Sequence, residues 1–225
     1  MEKIIDNDIL EMYKLKLELG KTGHITNAYI IKDKDTKDAI LIDPSYDAEY
    51  IAQMLDKIDA SLKVIYLTHC HGDHIAALED VYNKCKGKCE IIIHEKDKDG
   101  IFDDDKNCKY ILDEPNFVNL KPDDIHTIKD NEYITVGNVV GEVIHTPGHT
   151  NGSTVLYFKD INVLVTGDTL FSDCHGRTDL KSGSMQEMKE SLDKIFTRFQ
   201  SQTIYPGHGL STSVQSAKNR IYFGI

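Results

Sequence analysis

Thr68-His69-Cys70-His71-Gly72-Asp73-His74 directly follows a nearly unbroken apolar run, Leu62 to Leu67, which reads as a buried strand. Three histidines and one carboxylate fall within six residues on the loop that leaves this strand. Alternate residues of an extended segment point the same way, so His69 and His71 can reach one metal. Asp73 and His74 turn away and can serve a second metal beside it. Neutral imidazole and carboxylate are the ligand types for zinc, iron or manganese. The chain has 10 His in 225 residues, so this clustering at one strand end is not what a solvated polar loop gives by chance.

Outward from this loop the pattern alternates strands and helices. Tyr13 to Leu19, Asn27 to Lys32 and Ala39 to Ile42 read as strands, with a charged turn at Lys32-Asp33-Lys34-Asp35. Asp47 can cap a helix carrying Ile51, Leu55 and Ile58 on one face. Ile75 to Tyr82 reads as a helix, and Glu90 to His94 as a short strand. From Glu95 to about Asp130 the sequence is acidic and weakly patterned, and Asp103-Asp104-Asp105 reads as a solvated loop or helix start. Strand pairs follow at Glu132–Val136 with Val139–His145, and at Ser153–Phe158 with Ile161–Val165. Ser184-x-x-Glu187 is a capping box. Its helix carries Met185, Met188, Leu192, Ile195, Phe196 and Phe199 along one side. Thr203 to Tyr205 is a last short strand, and Ser213 to Ile221 a closing helix. No Pro/Gly/Ser linker or repeat interrupts the chain. The expectation is one domain over residues 1–225, of α/β class, with helices outside two sheets.

Composition narrows the partners. A net charge of −11, from 37 acidic and 26 basic residues, disfavours a surface that tracks phosphates, so nucleic acid is not expected. A small anionic substrate needs only a local basic pocket and stays open. No apolar stretch approaches the ~20 residues of a membrane span, so no membrane partner is expected. Met1 to Asp8 is charged and lacks a signal-peptide core, which points to the cytoplasm. The five cysteines (Cys70, Cys85, Cys89, Cys108, Cys174) have no framework spacing and read as free thiols. Cys85 and Cys89 have no second pair beside them to complete a metal site. Cys70 should point away from its flanking histidines.

Three further fragments fit the first. His149 lies in Thr146-Pro147-Gly148-His149-Thr150, Asp168 in Gly167-Asp168-Thr169, and His208 in Pro206-Gly207-His208-Gly209. Each follows a predicted strand, which gathers them at one edge. Small turn-forming neighbours leave each ligand-type side chain accessible. Each is weak alone; with the first loop they supply seven ligands, enough for two metals sharing a carboxylate.

With these motifs, and with Asn27-Ala28-Tyr29 and Ile42-Asp43-Pro44, the chain resembles the metallo-β-lactamase superfamily, and within it the short glyoxalase II-like hydrolases. The resemblance implies an αββα four-layer sandwich with two divalent ions at one edge. Zinc comes first, with iron or manganese as alternatives. It implies that His69, His71 and His149 hold the first ion, that Asp73, His74 and His208 hold the second, and that Asp168 bridges them. Asp73 and Asp168 thereby belong to the catalytic set. Asp43 matches a family aspartate with an orienting role, or simply starts a turn before Pro44.

Departures narrow the subgroup. The best-known lactamases place Cys where this chain has Asp168, and flavo-diiron proteins place Glu at the position of His71. Glyoxalase II proper grips glutathione with a C-terminal helical domain. Only Gly209 to Ile225 follow His208, so that grip is expected to be missing. The segment Gly176-Arg177-Thr178-Asp179 resembles both the short glyoxalase II-like proteins and the mononuclear iron persulfide dioxygenases. Arg177 is a candidate for a substrate carboxylate, or for a salt bridge to Asp179.

The implied reaction is hydrolysis by a metal-bridged hydroxide, since metal binding lowers the pKa of water from 15.7 towards about 7. No strong general acid is visible. A thiolate leaving group hardly needs one, at a thiol pKa of ~8.5, whereas an amine does. The substrate is therefore expected to be a small thioester. The alternatives are the dioxygenase and a non-catalytic metal-binding sensor. His24, His94, His126, His145 and His175 have no motif support, and nor does Cys174. His175 and Cys174 share the loop with Arg177. Oligomeric state is not legible.

Overall fold

Val64 and Tyr66, in the strand that feeds the metal-type loop, pack into the interface between two sheets, while their neighbours Ile65 and Leu67 face a helical layer. A strand covered on both faces has no polar side to show. That is why Leu62 to Leu67 reads as a continuous apolar run rather than an alternating one. The computed structural model describes residues 1–20, 23–86, 88–112 and 119–224. The chain runs β1 (Glu2–Asp6), β2 (Leu10–Glu18), β3 (Ile25–Asp33), β4 (Asp38–Ile42), α1 (Ala48–Lys57), β5 (Ser61–Leu67), α2 (Gly72–Ile75), α3 (Leu78–Lys84), β6 (Glu90–His94) and α4 (Lys109–Leu112). It continues through β7 (Ile125–Ile128), β8 (Tyr133–Val136), β9 (Val139–His145), β10 (Thr154–Phe158), β11 (Val163–Gly167), α5 (Met185–Arg198), β12 (Thr203–Pro206), β13 (Thr212–Ser213) and α6 (Val214–Phe223).

The first sheet takes its strands in sequence order, β1 to β7; the second runs β13-β12-β11-β10-β9-β8. Met12, Tyr29, Ile31 and Tyr66 of the first meet Val143, Leu156, Phe158 and Val165 of the second in the central layer. Ile51 and Leu55 of α1 and Leu78 and Val81 of α3 cover the outer face of the first sheet. Met188, Leu192, Ile195 and Phe196 of α5 and Val214 and Ala217 of α6 cover the second. This is the four-layer αββα sandwich expected from the sequence. Both predicted helix caps form: Asp47 accepts from the Tyr50 amide and Ser184 from the Glu187 amide.

The structure departs from expectation in three places. The helix read over Ile75 to Tyr82 is two helices, α2 and α3. The Ala77 amide, which a continuous helix would bond to Asp73, instead donates to the Ser45 carbonyl at 2.5 Å, and the Ser45 amide takes the His74 carbonyl at 2.8 Å. Part of the acidic region is structured: β7 adds a parallel strand beside β6. Residues 113–118 of that region lie outside the described ones. Finally, the charged N-terminus forms β1, an edge strand antiparallel to β2, where only one side of the ladder needs a partner.

Candidate metal centre

The ligand-type residues named from sequence leave the ends of β5, β9, β11 and β12 and meet at one edge of the sandwich. Four histidines are oriented by bonds on their far side. His149 Nδ1–H donates to the Arg177 carbonyl at 2.8 Å, and His208 Nδ1–H to the Ile25 carbonyl at 2.7 Å. His74 Nδ1–H donates to Asp43 Oδ2 at 2.8 Å. Thr68 spends its hydroxyl proton on Asp43 at 2.7 Å, so its oxygen accepts from His69 Nδ1–H at 3.1 Å. In each case the outward bond leaves Nε2 turned towards the centre.

Those inward atoms are short of partners. His69 Nε2, His74 Nε2 and Asp168 Oδ1 are buried with no hydrogen-bond partner, an arrangement that is expensive without a ligand. His69, His71 and His149 bring one donor atom each within 4.8 Å of one another, and so do His69, His74 and Asp168. His71 Nδ1 and His149 Nε2 are 2.8 Å apart. Asp168 stands between the groups: Oδ2 lies 3.6 Å from His149 Nε2 and 3.4 Å from His208 Nε2, and Oδ1 lies 3.3 Å from His74 Nε2. Asp73 Oδ2 lies 3.0 Å from His208 Nε2 and 3.6 Å from His74 Nε2. Bonds of about 2.0–2.1 Å to a tetrahedral ion place its ligands about 3.4 Å apart. The residues present fit divalent ions.

The two halves of the cluster differ in charge. Burial lowers His69 well below its ordinary range, helped by His74 and His149, and burial with His149 brings His71 to about 3. Burial acts the same way on His74 and His208, but the Asp168 and Asp73 carboxylates outweigh it, raising His74 well above the usual range and His208 to about 10. Burial would raise Asp73 and Asp168, yet the facing imidazoles hold both well below the usual carboxylate range. His69 and His71 are thus neutral imidazoles, whereas His74 and His208 form ion pairs with the carboxylates, their protons standing where a cation would.

Close approach of the backbone builds the centre. A Cβ on Gly207 would stand 2.3 Å from Asp168 Oδ1 and 2.5 Å from His74 Cε1, and one on Gly167 would stand 2.5 Å from Thr68 Oγ1. Residues 22–208 match the family described as the metallo-beta-lactamase superfamily.

The chain belongs to the metallo-beta-lactamase superfamily. It is a metal-dependent hydrolase of that superfamily. It is 31% identical over 195 residues to "Probable metallo-hydrolase YqgX" of Bacillus subtilis, a match covering 86% of this chain and 90% of that protein. Among solved structures it is similar to BLEG-1 B3 metallo-beta-lactamase, with a TM-score of 0.81 and 29% identity over 94% of this chain and 99% of that one. It is also similar to ETHE1 from Myxococcus xanthus, with a TM-score of 0.72 and 25% identity over 92% of this chain and 82% of that one.

In this superfamily member a cleft of about 270 Å³ opens over the cluster, bordered by Cys108, Phe171, Arg177 and Leu180. Arg177 lies at this rim, but its guanidinium fork is engaged by both Asp179 oxygens at 2.8 Å. Cys70 leaves the ligands, as strand alternation demands, and packs in the core beneath the first sheet. Asp43 is buried, and its carboxylate accepts from the Thr68 amide, the Thr68 hydroxyl and His74. Cys174 is exposed, and His175 Nδ1–H is spent on the Gly176 carbonyl. His94 and His145 stack on each other, 4.0 Å between ring centroids. Among the described residues, no helix is long and apolar enough to cross a membrane.

Two residues escaped the sequence reading. His24, set aside as lacking motif support, lies at the cluster with Asp73 and His208. Asp97, inside the acidic, weakly patterned region, is 2% exposed and accepts from Cys70, Thr150 and Gly152. Neither carries a local signal; each meets its partners only through the fold.

Proposed function

We propose that this chain is a thioester hydrolase working with two divalent ions, zinc in the first place. His69, His71 and His149 would hold one ion, Asp73, His74 and His208 the other, and Asp168 both. Bound there, divalent ions acidify water and polarise a carbonyl oxygen. The chain's own residues supply the frame. Asp43 and Thr68 keep His74 and His69 turned inward, and the Arg177 and Ile25 carbonyls do so for His149 and His208. Asp73 and Asp168 are, among the described residues, the only carboxylates lining the cleft, and they orient water by accepting its hydrogens.

The observation that carries the thioester reading is the tautomer pattern. With divalent ions bound, the sequence-named imidazoles with Nδ1 tied outward would give their Nε2 lone pairs to the ions and keep no acidic proton for the cleft. They are acceptors for cations rather than donors to a leaving group. A thiolate departs without protonation, at a thiol pKa of ~8.5, whereas an amine does not. Phe171, Leu180 and Cys108 form an apolar rim suited to the acyl or thiol arm. We take the chain to be one catalytic domain acting on a small molecule in the cytoplasm. The net charge of −11 speaks against nucleic acid as substrate.

The likeness to BLEG-1, described as a B3 metallo-beta-lactamase, makes a β-lactam the competing substrate, and the likeness to ETHE1 is compatible with the persulfide dioxygenase alternative. Metal-loaded protein is assayed on a lactoyl thioester, a β-lactam and a persulfide with oxygen uptake. Chelation should abolish thioester cleavage, and zinc should restore it. Cleavage by metal-free protein, a β-lactam preferred over the thioester, or one iron with oxygen consumed in step with persulfide would each sink the reading.

A further inference from the structure

We propose that His24, on the loop between β2 and β3, is a further ligand of the second ion position. His24 Nε2 lies 3.2 Å from Asp73 Oδ2, and His208 Nε2 lies 3.0 Å from the same oxygen. The three donor atoms fall within 4.8 Å of one another, and the two rings meet edge to face with centroids 5.4 Å apart. Separations near 3 Å are the edges of a coordination polyhedron with bonds of about 2.0–2.1 Å.

A surface hydrogen bond between His24 and Asp73 explains one of those distances but not the convergence. His208 Nδ1–H donates to the Ile25 carbonyl, so Nε2 is turned to the Asp73 carboxylate, where a proton joins the two in the metal-free protein. A divalent ion taking that proton's place would meet His208 Nε2 and Asp73 Oδ2 on two sides and His24 Nε2 on the third. Nor is His24 a free surface ring carried past the site. The next residue, Ile25, holds His208 through its carbonyl. The Asn27 amide donates to the Gly207 carbonyl at 2.7 Å, and the Asn27 side chain donates to the Pro206 and Gly209 carbonyls at 2.9 and 3.1 Å. The entry to β3 and the His208 loop therefore move as one piece. Position 24 is held to the second ion site, although its side chain is 41% exposed.

The inference rests on the two-ion reading above. Metal-depleted full-length protein is titrated with zinc against a chromophoric chelator, and with cobalt(II) by visible absorption. The proteins are wild type, His24→Ala and His24→Gln. Gln still donates a hydrogen bond to Asp73 but is a poor metal ligand. The expected result is two ions in wild type. In both variants the second is weakened ~100-fold and its cobalt spectrum altered, while the first stays within about twofold. Wild-type affinity in His24→Gln, with loss only in His24→Ala, would reduce His24 to a hydrogen-bond donor and overturn the proposal. Unchanged affinity in both variants would overturn it too, with the two-ion reading intact. A single ion in wild type would take both readings down. Circular dichroism of the metal-free variants checks that the fold survives.

Discussion

The Thr150 hydroxyl donates to Asp97 Oδ2 at 2.6 Å, and through that bond two distant loops share one buried carboxylate. The same oxygen accepts the Cys70 amide at 3.1 Å, and Oδ1 accepts the Gly152 amide at 2.7 Å. Cys70 stands between His69 and His71, and Thr150 follows His149, so Asp97 sets the spacing of the whole first group. Burial pushes its carboxyl up, and these three donors work against that push.

Asp97→Asn keeps one acceptor but turns an NH₂ group towards donors. It should lose about 1–3 kcal/mol of stability, the penalty of a buried unsatisfied group. It should also weaken the ion proposed for His69, His71 and His149. Urea denaturation and metal per chain measure the two effects. Wild-type values in both would mean that Asp97 does not hold these loops.

Gly207→Ala tests the close approach at the second group. The added methyl would stand 2.3 Å from Asp168 Oδ1, so His74 and Asp168 must separate. The ion proposed for this group should be lost first, with a smaller loss at the first group through the displaced Asp168. Elemental analysis after dialysis is the readout, and two tightly held ions in the variant would contradict the geometry.

Asp43 and Asp168 should separate by role. Asp168→Asn alters a side chain that faces both groups and should lower metal content at both. Asp43→Asn alters the bond that orients His74 directly and, through Thr68, the one that orients His69, so it should weaken the second ion by ~10–100-fold and the first by less. Equal losses of both ions in the two variants would put Asp43 on the same footing as Asp168.

Metal uptake at the second group should release protons. The His208 imidazole is raised to about 10 in the metal-free protein, so at lower pH an ion must displace its proton. Affinity should therefore rise between about pH 6 and about pH 9. Calorimetry in buffers of different ionisation enthalpy counts the protons. The sign for the fold is opposite. A value raised above the unfolded ~6.5 stabilises the metal-free protein fully below about pH 6.5, and that contribution fades as pH rises through about 10. A pH-independent affinity would remove this linkage.

Much of the fold was legible because its signals are local. Leu62 to Leu67 announces a strand covered on both faces, and Asp47 and Ser184 announce helix starts that form as read. The break between α2 and α3 was not legible. It depends on the Ser45 carbonyl taking the Ala77 amide, a contact between segments remote in sequence. β7 was missed because its short run, Ile125 to Ile128, is a strand only by virtue of β6 beside it.

The sequence by itself determined which seven ligand-type residues stand at the strand ends. A chain that leaves an apolar strand through His69, His71, Asp73 and His74, and repeats small-residue turns at His149, Asp168 and His208, places those side chains at strand ends through backbone periodicity alone. Tertiary structure decided everything that depends on which atoms face each other. It brought His24 to Asp73, buried Asp97 between two loops, and aimed the Nε2 atoms inward through acceptors as remote as the Ile25 and Arg177 carbonyls. The physical reason is range. Periodicity and capping act over a few residues, whereas hydrogen-bond partners and charge separations are set by packing across the sandwich.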